Sequence, residues 1–352
     1  MPKVIYYTKY TQLGASSRLR SIQFFPFLEK EGYQVKSQAL FSDRYLSYLY
    51  KKSKLKLFYL ILGYFKRLFS ILSVFKYDVI VIEKELFPYF PAWFEIMLNR
   101  MGKNYIVDYD DAIFHKYDLS SNKYIKKFLH NKIDVVMKNS KCVFAGNSYL
   151  AERAKNAGAQ NIKILPTVID VTKYKKIDNK DNSKFTLGWI GSPSTYKYIE
   201  ELTPTFYKIK ERYPDFYVNI IGAQPHAETK DFINIIPWKE NREVIEINKF
   251  DVGVMPLALT PWELGKCSYK LIQYMGCSIA TLASPVGMNV EVVTDDYNGF
   301  LVKDNEWFEL IEKYILNKEL TLIHGENGRH LVDSKFNIQS NLKIITAEFQ
   351  NQ

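Results

Sequence analysis

Three carboxylates crowd the end of one apolar run. Asn104–Asp111 reads NYIVDYDD and brings Asp108, Asp110 and Asp111 together. Acids this close repel, so at least one is pushed toward protonation unless a cation or hydrogen bonds relieve it. A bound divalent ion is one such cation, so a metal site is a competing reading of the cluster. A second candidate is Gly265–Ser268 (GKCS), a loop that opens a helix predicted at about Tyr269–Met275. A helix N-terminus offers unpaired N–H groups and a partial positive charge, a ready seat for phosphate. Lys266 and Lys270, four apart, add two cations to the same side of the first turn. Diphosphate recognition follows from that chemistry; solvated lysines on a helix face are the plain alternative.

The elements that must position these residues alternate regularly. KVIYYT (from Lys3) is a buried strand that leads through the small-residue loop LGASSRLR into a helix ending at Gly32, and YQVKSQAL is the next strand. YDVIVIEK, NYIVDYDD, CVFAGNSYL and IKILPTVID continue the series, with Pro88–Arg100 helical between the first two. A second series follows: FTLGWIG, FYVNIIGA, FDVGVMPL, IATLASP and GFLV. This βα alternation predicts an α/β chain of two doubly wound Rossmann-like domains facing a central cleft, with ligands at the carboxyl ends of the strands. The domains expected are 1–171, with a basic segment at 51–75, and 185–334. A polar linker at 172–184 joins them, and 335–352 is a terminal helix that packs back on the first domain. Neither half carries Gly-x-Gly-x-x-Gly after its first strand, which argues against a dinucleotide dehydrogenase.

Charge is one-sided. Residues 1–170 hold 27 Lys and Arg against 14 Asp and Glu, whereas 171–352 hold 21 against 24. A basic half points to a polyanionic partner. The absence of helix-turn-helix, zinc-ligand and RNP-type patterns argues against nucleic acid. Residues 51–75, KKSKLKLFYLILGYFKRLFSILSVF, combine Lys51, Lys52, Lys54, Lys56, Lys66 and Arg67 with long apolar runs. The uninterrupted stretch Leu57–Phe65 is far below the roughly 20 residues that span a bilayer. A helix lying on an anionic membrane surface fits, and an ordinary core helix with a basic rim is the alternative. The start, MPKVIYYTKY, lacks the pattern of a signal peptide, and the three cysteines show no Cys-x-x-Cys pair. Both features predict a cytoplasmic chain with buried thiols, and the basic apolar segment adds the expectation that it is peripheral on the inner face of the cell membrane.

The run GKCSYKLIQYM (Gly265–Met275), with GWIGSPST (Gly188–Thr195), VDYDDAIFH (Val107–His115) and AGNSYLAERA (Ala145–Ala154), resembles glycosyltransferase family 4. The closer likeness is to a branch of that family found in bacterial surface-polysaccharide clusters. It covers nearly the whole chain and implies the GT-B fold. It also implies a retaining transfer from a UDP- or GDP-linked sugar, with no metal cofactor, to a lipid-linked or other glycan acceptor. The family's Glu-x7-Glu pair falls on Gly265 and Gln273, so both acids are missing, and Glu263 is the nearest replacement for the first.

Carried over position by position, the resemblance places Gly14 and Ala15 in the loop that approaches the donor diphosphate. Gly191 and Ser192 occupy the loop where many members have Gly-Arg, which leaves the cationic duty to Lys197, Lys266 and Lys270. Gln273 would hydrogen-bond the ribose. Asp110 falls where many members place a His near the reacting sugar, and Asp110 or Asp111 would orient hydroxyls. Glu83 and Glu85, facing the same cleft, are acceptor-side candidates, and Arg18 with Arg20 would hold an acceptor phosphate or simply line a helix face. A transferase with a soluble acceptor and a non-catalytic nucleotide-binding scaffold are the alternatives.

Overall fold

A computed structural model describes residues 1–51, 53–177, 181, 183–223 and 230–351. Lys52 and residues 178–180 and 182 of the expected linker lie outside them. The chain divides into two compact units. The first comprises 1–167, 265–267 and 341–352; the second comprises 168–264 and 268–340.

The first unit is built on six parallel strands: β1 (Lys3–Tyr10), β2 (Gln34–Phe41), β3 (Val79–Glu83), β4 (Ile106–Tyr109), β5 (Cys142–Ala145) and β6 (Ile162–Ile164). Their order across the sheet is β2-β1-β3-β4-β5-β6. β3, β4 and β5 are buried throughout, as expected of central strands of a parallel sheet, and this is why they read as continuous apolar runs. The order reverses between β1 and β3, so the switch point that favours ligand binding lies at their carboxyl ends. The last residues return to this unit: Glu348 accepts from the Asn161 amide at 2.7 Å and pairs with Lys163 at 3.3 Å, and Phe349 packs on Tyr33.

The basic apolar segment folds as the helix Lys56–Leu72. It buries Gly63, Arg67 and Ile71, one stripe at successive turns, and turns most of its leucines and phenylalanines outward. Arg67 therefore does not serve as a surface cation. Its guanidinium donates to the carbonyls of Thr8 (2.6 Å) and Gln38 (2.9 Å) and to that of Leu86 (3.3 Å), and burial lowers its pKa to about 10. Among the described residues no helix is long and apolar enough to cross a membrane.

The second unit repeats the plan with β7 (Phe185–Ile190), β8 (Phe216–Ile221), β9 (Ile233–Ile236), β10 (Val252–Met255), β11 (Ala280–Ala283) and β12 (Gly299–Leu301). The order β12-β11-β10-β7-β8-β9 is that of a doubly wound sheet whose switch point falls between β7 and β10. β9 is the strand that the sequence pattern misses. It is a short edge strand, only partly buried, with Asn234 interrupting its apolar run. The predicted helix after GKCS is present as Tyr269–Gly276. All three cysteines are buried and unpaired in disulfides.

Candidate functional site

In the first unit the exits of β1, β3 and β4 meet in a chain of alternating charge. Lys84, the residue after β3, reaches Asp110 at 2.7 Å and Asp111 at 3.7 Å, and its ammonium donates to the Ser16 hydroxyl at 3.0 Å. Ser16, in the short helix Ala15–Arg20 that follows β1, donates in turn to Asp110 at 2.6 Å. Lys266, which packs within this unit, pairs with Asp111 at 2.8 Å. Its carbonyl accepts from the Asn147 amide at 3.0 Å, and the neighbouring Cys267 thiol donates to the Asp110 carbonyl at 3.1 Å. Asp108, at the end of β4, is held apart by Arg20 in a buried two-pronged pair.

Each of the three acids has its own cation, which offsets their mutual repulsion. Burial pushes Asp110 up, but Lys84, Arg20 and the Ser16 hydroxyl outweigh it and hold the carboxyl well below the usual range. For Asp108 burial wins over Arg20 and the pKa rises. Lys84 stays charged: burial opposes this, and Asp110, Asp111 and Glu83 more than offset it. Among the described residues no group of three His, Cys, Asp or Glu is placed to share a metal ion.

Lys84 is the residue that the sequence reading missed. It stands between two glutamates at a strand exit, the one signal available. Its backbone lies at φ 67, a left-handed conformation rare for a side chain of this size and of the kind that gathers at functional sites. Gly14 precedes the Ala15–Arg20 helix, and a Cβ there would lie 2.3 Å from Tyr10.

Three expectations on this side need correction. Glu83 does not face an open site: it is buried and accepts from the Ser17 hydroxyl and the Lys9 amide (2.8 Å). Glu85 is likewise buried, clamped by the Tyr117 hydroxyl and the Lys132 ammonium. Arg20 is committed to Asp108 and to the Leu165 carbonyl, so it is not free for an acceptor phosphate. At a strand exit, the chain turn decides which side chains point inward. Arg18 is half-buried, and its guanidinium donates to the Gln12 carbonyl at 3.2 Å.

In the second unit Gly191 and Ser192 leave β7 at the switch point. The Gly191 amide donates to the Ile221 carbonyl, and Ser192 is exposed, with its hydroxyl 2.9 Å from that of Ser194. Lys197 follows in the short helix Tyr196–Glu200, lying over the Tyr198 ring at 4.8 Å. The Tyr198 hydroxyl donates to Glu263, which is buried and also accepts from Thr260.

Lys266 and Lys270 do not form an i, i+4 pair on one turn, because Lys266 precedes the helix Tyr269–Gly276. Lys270 lies 4.9 Å from the Trp189 ring. Ser268, at φ 49, leaves the helix start without a side-chain cap, and its hydroxyl turns to Asn289. Gln273 is buried, with its amide donating to Glu243 at 2.8 Å and to the Tyr174 hydroxyl at 3.1 Å. The absent first acid of the expected pair has a steric reason. A Cβ on Gly265 would lie 2.5 Å from the Ala112 amide nitrogen.

Comparison with known proteins agrees with this architecture. Residues 170–331 match the family of glycosyl transferases group 1. An uncharacterized glycosyltransferase of Methanocaldococcus jannaschii, MJ1069, is 24% identical over 265 residues, which cover 69% of this chain and 64% of the relative. The chain therefore spans under two thirds of that relative's length. Among solved structures, sucrose-phosphate synthase from Thermosynechococcus elongatus superposes with a TM-score of 0.76 at 14% identity, covering 100% of this chain and 99% of its own. HepE of Anabaena in complex with UDP gives 0.70 at 13% identity over 100% of both chains, and a complex of the same protein with UDP-glucose gives 0.66. At these identities the likeness establishes the fold: two Rossmann-like domains of the GT-B class.

Proposed function

We propose that this chain is a glycosyltransferase that moves a sugar from a nucleotide-sugar donor to a lipid-linked glycan acceptor, with retention at the anomeric carbon. The observation that carries this reading is the Ser16–Asp110–Lys84–Asp111–Lys266 chain at strand exits of a GT-B fold. The glycosyl transferases group 1 match over 170–331 and the UDP and UDP-glucose held by HepE support the donor class. A UDP- or GDP-linked sugar is the proposed donor, and the work is assembly of a bacterial surface polysaccharide.

In this reading the bond between the anomeric carbon and the diphosphate oxygen breaks, and the acceptor hydroxyl bonds to that carbon on the same face. The acceptor proton passes to the leaving phosphate oxygen. The protein's part is to position the two substrates and stabilise the leaving charge. Asp110 and Asp111 orient hydroxyls, with Lys84 fixing their direction. Lys197, Lys266 and Lys270 supply positive charge toward the diphosphate, and Gly14, Ala15, Gly191 and Ser192 are the proposed diphosphate loops. No metal enters the proposal, since lysines and backbone amides take the neutralising role. Glu263 and Gln273 stand on the nucleotide and sugar side, and Arg18 on the acceptor side. Calorimetry with a panel of nucleoside diphosphates tests it. Binding of one of them is expected, and failure of every one to bind would sink the reading. Binding without turnover would favour the scaffold alternative.

A further inference from the structure

The helix Lys56–Leu72 is inverted relative to an ordinary surface helix. Its one inward arginine, Arg67, is fully buried, whereas Leu57, Phe58, Ile61, Phe65, Phe69 and Leu72 face solvent, with Phe69 67% and Leu72 72% exposed. At 3.6 residues per turn these six fall within an arc of about 120°. This is one continuous apolar face, not scattered surface residues. Exposed apolar surface continues beyond the helix. Phe90 packs on Tyr64 at 5.7 Å, the Tyr64 hydroxyl donates to the Pro88 carbonyl at 2.8 Å, and Trp93 and Met97 are exposed on the next helix, Trp93–Arg100.

The fringe of this face is cationic. Lys51, Lys54, Lys56, Lys66, Lys76 and Arg100 are all exposed, and no acidic residue occurs between Asp43 and Asp78. A protein partner would leave these cations to meet acids of its own. A bilayer carrying anionic headgroups satisfies both halves at once, with apolar side chains in the acyl boundary and lysines among the phosphates.

We infer that this face of the first unit, helix Lys56–Leu72 with the Phe90–Met97 segment, docks in the interface of an anionic lipid bilayer without crossing it. The inference deepens the lipid-linked acceptor reading by naming the surface on which that acceptor is met. Because Arg67 is inward, the electrostatic part rests on the flanking lysines and the depth of insertion on the phenylalanines.

The test is co-sedimentation of the full chain, without donor or acceptor, with phosphatidylcholine vesicles alone and with vesicles containing about one quarter phosphatidylglycerol. Binding is expected only to the anionic vesicles, weakening as salt rises. Phe65→Asp with Phe69→Asp, and separately Lys54→Glu with Lys56→Glu, should each weaken it at least about tenfold at unchanged melting temperature, since all four side chains are exposed. A wild-type chain that ignores anionic vesicles overturns the inference, as do variants that bind like wild type. So does a dimer in light scattering that Phe65→Asp with Phe69→Asp dissolves while no vesicle binding is seen. A chain that binds nucleoside diphosphate yet ignores vesicles fails here alone, and the transferase reading then stands.

Discussion

Lys84 joins two aspartates from a backbone conformation that works against it, and two consequences follow. Lys84→Met should leave Asp110 and Asp111 without their shared cation, at a cost of about 3 kcal/mol in thermal or denaturant unfolding. Transfer activity should fall by roughly a hundredfold or more. The second consequence concerns pH. Asp110 has a folded pKa below its unfolded one, so its contribution is complete above about 4, the unfolded value, and is lost as pH falls through the folded value. Melting temperature against pH should therefore fall in acid more steeply for the wild type than for Lys84→Met. At residue 265 the geometry predicts that Gly265→Ala destabilises by about 1–3 kcal/mol, since its Cβ would press on the Ala112 backbone. The acidic cluster was legible in the sequence because its members are adjacent. The partners that relieve it were not, since Arg20, Ser16 and Lys266 are distant in the chain. Glu83 and Glu85 were misplaced because a strand's alternation ends where the chain turns.

At the scale of elements, the switch point of the second sheet is held by a side chain from the helix Tyr269–Gly276. The Tyr274 hydroxyl accepts from the Ile190 amide at 3.0 Å, at the end of β7, and lies 3.4 Å from the Val254 carbonyl of β10. Gly253 makes room for it: a Cβ there would lie 2.3 Å from the Tyr274 ring. Tyr274→Phe should leave the buried Ile190 N–H unpaired and cost about 1–3 kcal/mol in unfolding, with weaker donor binding because the Gly191–Ser192 loop follows directly. On the first sheet, Arg67→Lys should cost about 1–2 kcal/mol, since one ammonium cannot serve the carbonyls of Thr8, Gln38 and Leu86 together. Most strands were legible because each is a short apolar run at βα spacing. The edge strand β9 was not, because half-buried edges carry a weaker pattern. The helix Lys56–Leu72 was legible as apolar and basic. That its arginine is inside and its phenylalanines outside is a tertiary fact.

For the whole molecule, the basic first half and the mildly acidic second half divide the proposed labour between membrane surface and donor. The unit boundaries could not be drawn fully from sequence. Residues 265–267 sit with the first unit although their neighbours on both sides belong to the second. Only long-range contacts, such as Lys266 to Asp111, reveal this. Transfer from a nucleotide sugar is tested by release of nucleoside diphosphate from a mixture of UDP- and GDP-sugars offered with a membrane extract. One donor should be consumed, mass spectrometry should find its sugar on a lipid-extractable product, and Lys84→Met should sharply reduce both. Intact donors after prolonged incubation, with no nucleoside diphosphate released by the folded wild-type chain, would contradict it.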